Sequence, residues 1–445
     1  MTDGSGTRFG RRELLSGAAA TALGALAGCV TQFVDESPPT IDGSDLRAAT
    51  RGDPPAVPDI LPADIEASFV ETLRADARSK LDGTPAPFDE AEIPNGVIRE
   101  RLNDAYDDAL RSIRDASGAP TSYERLAHAA RSRTSAHEVE AAWDGISDEL
   151  TAADLRASIP DVNRAVDGLA STHAYVGDGP VRAAVVHADL ERRIGGARRW
   201  LSVSDREFAA ATNALYLAEI AADIERARVD VAVASYLFDR FRGSLDAATD
   251  HHDRLTDARA ALETRIHDRA DPVPEERVDD ATSLVDRDVG TTAGVRALEE
   301  LAWEARSRIE QVRRAEDAAD PASDVVGAAS VLTHLGAFGR LRNRIEGGDD
   351  VAVDTAADVG ELRSAAITAV EAAGSVERGQ VLADAIRPRF AREVERVDGR
   401  LDDGRSEVRV ASAARDAAGY VRIAALCLSL PEAVGTTATT LLEST

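Results

Sequence analysis

Residues 204–243 read SDREFAAATNALYLAEIAADIERARVDVAVASYLFDRFRG, and this stretch decides the fold. Ser204 followed by Glu207 has the spacing of a capping box, in which the serine hydroxyl accepts from the third helical amide and the glutamate reaches back to the serine amide. Phe208, Ala211, Leu215, Ala218, Ala222, Leu237 and Phe241 form an apolar stripe with small residues in its middle, and Gly243 can stop the helix. The spacing predicts one helix over 205–241, about 55 Å long. That is too long for a small globular bundle and suits a long bundle or a coiled-coil-like hairpin.

Outward from this element the pattern stays helical. No proline occurs between residues 181 and 271. Further helices are predicted at 62–80, 96–116, 121–145, 151–158, 161–175, 180–200, 246–270, 275–285, 292–319, 323–346, 355–373, 377–402 and 406–428. Breaks are expected at Pro160, Gly177-Asp178-Gly179-Pro180 and Asp271-Pro272-Val273-Pro274. Val, Ile and Thr almost nowhere alternate with polar residues, so a substantial sheet is excluded. The expected fold class is all-α, an elongated multi-helix bundle with long antiparallel helices. Residues 62–270 and 275–434 are read as two helical domains, divided at Asp271–Glu276. The proline-rich stretch 29–61 is read as a tether, and the threonine-rich end, 435–445, as a frayed tail with no second membrane-spanning segment.

Composition sets the chemistry of the surface. Formal charge is -27, and among 52 basic residues only Lys80 is a lysine. Such acidity, with no basic tract, makes nucleic acid a poor partner. Arginine binds water less tightly than lysine, while abundant carboxylates hold hydration. This balance resembles that of proteins from extremely halophilic archaea.

The N-terminus carries the most specific signals. Arg11 and Arg12 precede Leu14 and Leu15, and residues 14–28 are uncharged. A helix of that length covers about 22 Å, short of the roughly 30 Å hydrocarbon core, so the pattern is that of a signal peptide, residues 1–28, rather than a permanent span. Arg11-Arg12-x-Leu14-Leu15 resembles the twin-arginine consensus, which implies the twin-arginine translocase as a partner. Leu26-Ala27-Gly28-Cys29 resembles a lipobox, which implies a covalent lipid on Cys29 after cleavage. The lipid bilayer would then be met through Cys29 at the outer face of the cell membrane. No other cofactor is expected. Cys427, the second cysteine, lies in an apolar run and is read as a small core residue.

Chemical motifs are scarce. His137 and Glu140, three residues apart on one helix face, suit a transition metal if further ligands join them. The pair distantly resembles that of imelysin-like surface proteins, whose motif has glycine where Ser135 stands. His251 and His252, with Asp250 and Asp253, are read as solvated, and Trp143, Trp200 and Trp303 as packing anchors. No Gly-x-Ser-x-Gly elbow, His-Glu-x-x-His, P-loop or dinucleotide turn occurs. The expected role is non-catalytic: a membrane-anchored extracytoplasmic scaffold or protein-interaction module with a surface protein partner. The alternative is a small-molecule or metal-binding lipoprotein associated with a transporter.

Overall fold

Alanine-rich faces let helix backbones approach closely, and the chain exploits this in one almost entirely α-helical bundle. The computed structural model describes residues 38–444 except 148, 212, 277, 279 and 315–319. Arg11, Arg12, Leu14, Leu15 and Leu26 to Cys29 lie outside the described residues.

In chain order the early helices are α1 (Gly43–Ala49), α2 (Ala67–Asp82), α3 (Gly96–Gly118), α4 (Ser122–Ile146) and α5 (Ala152–Thr172). Then come α6 (Pro180–Trp200), α7 (Asp205–Ala210), α8 (Ala214–Gly243) and α9 (His252–Ala270). The later ones are α10 (Ala293–Arg314), α11 (Pro321–Glu346), α12 (Ala356–Ala372), α13 (Gln380–Leu401) and α14 (Val410–Glu443). In the early part α4 lies against α2, α3 and α8. In the later part α14 runs among α10, α11, α12 and α13, and α9 packs on α11 and α14. Helix α6 joins the two parts by packing on both α8 and α11. From Pro39 onward the chain forms one compact unit.

Among the described residues strand is confined to two short antiparallel pairs. Strand β1 (Thr40–Asp42) pairs with β4 (Glu407–Arg409), with Ile41 opposite Val408. Strand β2 (Val176–Gly177) pairs with β3 (Thr249–Asp250).

Several expectations need correction. The helix expected over 205–241 is two helices. The capping box of Ser204 and Glu207 forms and starts α7, but α7 ends at Ala210. Asn213 then opens α8 by accepting from the Tyr216 amide at 3.0 Å, since an asparagine cap satisfies amides that a continuing turn would otherwise bond.

The stretch 39–61 is no tether. Ile41, Leu46 and Leu61 are buried, Asp42 caps α1, and α1 lies on α12. Prolines that keep backbone extended here lay a strap across the bundle instead of holding it off. The end is not frayed to residue 443. Thr437 and Thr440 hydroxyls bond back to the carbonyls of Ala433 and Thr436, at 3.0 and 2.9 Å, while Ala438 and Leu441 are buried. Back-bonding of this kind hides the polarity that made the segment look like coil.

Pro160 and Pro431 lie inside α5 and α14. Each removes one helical amide donor without ending its helix, because packing of the flanking turns outweighs the loss. Helix α14 is long and apolar enough to cross a membrane by length and composition, yet most of that apolar window is buried inside the bundle.

Candidate functional site

Helix α10 buries the stripe Val295, Leu298, Ala302, Ala305 and Ile309, spaced alternately by three and four residues. Trp303 falls outside that stripe and is 58% exposed. It is therefore not the packing anchor expected of it. Trp143 does pack, stacked on Phe88 at 5.6 Å, and Trp200 lies under the Arg226 guanidinium at 4.4 Å.

Trp303 lines a cleft of about 440 Å³. Arg296, Glu299, Glu300 and Arg306 share it, one or two turns away on the same helix face. Pro274, Glu276 and Val278 form the opposite wall, and Arg415 of α14 closes one side. Among the described residues Arg296, Arg415, Glu276 and Glu299 make no ion pair, whereas Glu300 pairs with Arg422 and Arg306 with Glu310. The Nε of Arg296 is buried without a hydrogen-bond partner. Burial lifts the Glu300 carboxyl above the usual range, against the pull of Arg422. An exposed indole amid unpaired charges of both signs is suited to binding and offers no nucleophile and base in partnership.

The pair read as a metal site comes together differently from that expectation. His137 Nδ1 lies 2.8 Å from Glu140 Oε2, but the third partner is Lys80, whose Nζ donates to Glu140 at 2.9 Å and lies 3.2 Å from His137 Nδ1. A cation thus sits where a metal would need to bind. No group of three His, Cys, Asp or Glu side chains among the described residues is arranged to hold a metal. Burial raises Glu140, but hydrogen bonds from His137 and Lys80 outweigh it and hold the carboxyl low.

Two buried polar nodes escape sequence reasoning. His187 donates from Nε2 to the Val176 carbonyl at 2.8 Å, which leaves its Nδ1 to accept from His173 Nε2 at 2.8 Å. Burial depresses both imidazoles to about 4. Beside them His251, expected in solvent, is buried with Nε2 unpartnered, whereas His252 is exposed. The turn at 177–180, which folds residue 173 back toward 187, was the available signal.

The second node lies among α10, α11, α13 and α14. Arg422 pairs with Glu304 and with Glu393, the latter at 2.6 Å, and the buried His334 accepts from Arg308 at 3.1 Å. Burial would raise Glu304, but the hydrogen bond and charge of the Arg422 guanidinium carry it down to about 2. Val176 beside the first node and Arg308 of the second each line a further cleft, but the imidazoles and carboxylates themselves are held by neighbouring side chains, and both nodes are read as packing. Cys427 is buried, as expected, and desolvation pushes its thiol far up.

Residues 68–248 match the family model described as "Domain of unknown function (DUF8262)", and residues 252–439 match that described as "Domain of unknown function (DUF8264)". The two matched segments meet at β3, between α8 and α9. No curated protein and no solved structure matches the chain. By these comparisons the chain is similar, over its two parts, to two domain families whose descriptions assign no activity.

Proposed function

We propose that the protein is exported by the twin-arginine route, held at the outer face of the cell membrane by a lipid on Cys29, and acts there as a protein-interaction module. Its contact surface is the Trp303 cleft. The observation that carries the reading is an indole 58% exposed in a cleft where Arg296, Arg415, Glu276 and Glu299 make no ion pair among the described residues, while Glu300 and Arg306 pair with Arg422 and Glu310. Binding energy at protein interfaces concentrates on Trp and Arg set in such surroundings, because covering an indole removes apolar area from water and pairs guanidinia that had no partner. The resemblance of residues 8–29 to an export signal and lipobox supports the location.

A second reading has one observation in its favour. About 440 Å³ falls within the range of small-molecule sites, so a ligand-binding lipoprotein associated with a transporter fits the same cleft. Its metal-binding form loses support from the place taken by Lys80.

Both location and contact can be read in one experiment. The protein carrying a photo-crosslinking side chain at position 303 is irradiated in intact cells, then extracted from the membrane, and intact masses are measured. A lipid-sized increment on Cys29 and a discrete protein adduct are expected. An unprocessed chain starting at Met1 overturns the location, and a lipidated chain with no adduct overturns the interaction role.

A further inference from the structure

The Trp303 cleft does not end at Arg306. A second cleft, about 460 Å³, shares Pro274 and Arg306 with it and continues to Ile309, His267, Asp271 and Glu275. The two together form a trough along α10, with Ala270, Asp271, Val273 to Glu276 and Val278 as its far wall. From Arg296 to Glu310 the helix rises about 21 Å, which equals about six residues of extended chain.

Charge along the trough is polar. At one end stand the guanidinia of Arg296 and Arg415, neither in an ion pair among the described residues. At the other stand Asp271 and Glu275, both exposed and likewise unpaired. Trp303 and Val278 supply apolar surface between them. Glu299, one turn along from Arg296, and Glu276 of the far wall can accept only, matching the amides of an extended backbone that no strand pairs.

We infer that the trough binds the free carboxyl-terminal end of an extended peptide. Its carboxylate is held by Arg296 and Arg415, an apolar side chain rests on Trp303, and a basic residue about five positions upstream faces Asp271 and Glu275. A carboxylate takes up the paired donors of a guanidinium in a way no neutral group can. The peptide's basic residue meets an end of the trough that would repel an acidic one. A ligand of a single charge would leave one end of the trough unmatched, and a compact small molecule would leave much of its length empty. The inference rests on the interaction reading above and adds the chemistry of the partner.

The test uses the membrane-extracted protein and three hexapeptides: arginine first, leucine fourth, alanine elsewhere, with a free carboxylate; the same peptide as its carboxamide; and the free acid with glutamate in place of arginine. Calorimetry and tryptophan emission are followed at one fixed salt concentration. The free acid should bind and shift the emission to the blue. The carboxamide and the glutamate peptide should each bind about tenfold more weakly or worse, the order expected for losing charge-assisted hydrogen bonds. Arg415→Gln, at an exposed position, should abolish the preference for the acid over the amide while leaving the melting temperature unchanged. Equal binding of all three peptides, or none by any, overturns the inference. A crosslinked protein partner at position 303 in that event would leave the interaction reading standing, and its absence as well would remove both.

Discussion

The Glu191 carboxylate of α6 accepts a hydrogen bond from the Ser323 amide at the start of α11, at 2.6 Å. The Ala322 amide at 3.2 Å and the Tyr175 hydroxyl at 2.8 Å complete the set. One buried side chain thus caps a helix 131 residues further along the chain and ties the first matched segment to the second. Four amides at a helix start have no partner within the helix. Here an acid from the other part of the bundle supplies two.

Burial raises the Glu191 carboxyl to about 7, in spite of these donors. Its folded pKa therefore lies above the unfolded value of 4.5. The group's contribution to stability is fully present below the unfolded value and is lost as pH rises through about 7. His173 and His187, depressed to about 4, act in the opposite sense, losing stability as pH falls from 6.5 through 4. The two effects separate by difference. Between pH 5 and pH 8 the melting temperature of wild type relative to Glu191→Gln should fall. A flat difference would show that Glu191 keeps an ordinary pKa.

Arg422 holds Glu304 and Glu393 in the centre of the later part. Removing one member of such a buried set strands the others, so Arg422→Met should destabilise by about 3–5 kcal/mol, read from urea unfolding midpoints at pH 7. Because Glu304 is held near 2, its contribution is present above its unfolded value and disappears as pH falls through about 2. The penalty of the substitution should accordingly shrink on acidification. A loss below 1 kcal/mol at pH 7 would mean that water reaches this node.

Lys80 is the single lysine in a chain that otherwise uses arginine. A compact ammonium can approach both the Glu140 carboxylate and the His137 ring, whereas a planar guanidinium needs room for its fork. Lys80→Arg should cost about 1 kcal/mol and Lys80→Met about 1–3 kcal/mol, the latter by leaving a half-buried carboxylate with the His137 ring as its remaining side-chain partner. Added zinc should leave the wild-type melting temperature unchanged. A rise of several degrees with zinc would restore His137 and Glu140 as metal ligands.

What could be read from sequence was local. The capping box of Ser204 and Glu207 involves residues three apart, and α6 begins at Pro180, where the missing amide costs nothing. Trp303 was half legible: the stripe from Val295 to Ile309 already leaves it outside, but nothing local says that no neighbour covers the opposite face. Glu191, Arg422 and Lys80 were not legible at all. Each looks like one more surface charge on a polar helix, and its partner lies tens of residues or more away in the chain.

The strap over residues 39–61 gives the sharpest test of that lesson, because its docking hangs on one glycine. Gly43 opens α1 directly after β1, its amide donating to the Ser406 carbonyl at 2.8 Å. Its α-carbon lies so near the Arg405 carbonyl that an added methyl group would collide with backbone oxygen. Neither side can yield easily, since Ile41 and Val408 are paired in the adjoining strands and both are buried. Gly43→Ala should therefore undock β1 and α1 while leaving the helices beyond Ala67 folded. The chain around the half-buried Arg47 and the exposed Arg51 would then be freed from the bundle, and limited trypsin digestion should cut the variant there first and leave a resistant fragment starting near residue 52. Helical circular dichroism should change little, because α1 is only 7 residues long. If wild type and variant are cut at these arginines at equal rates, the strap is already loose and the tether expected from its prolines is the better description of residues 39–61.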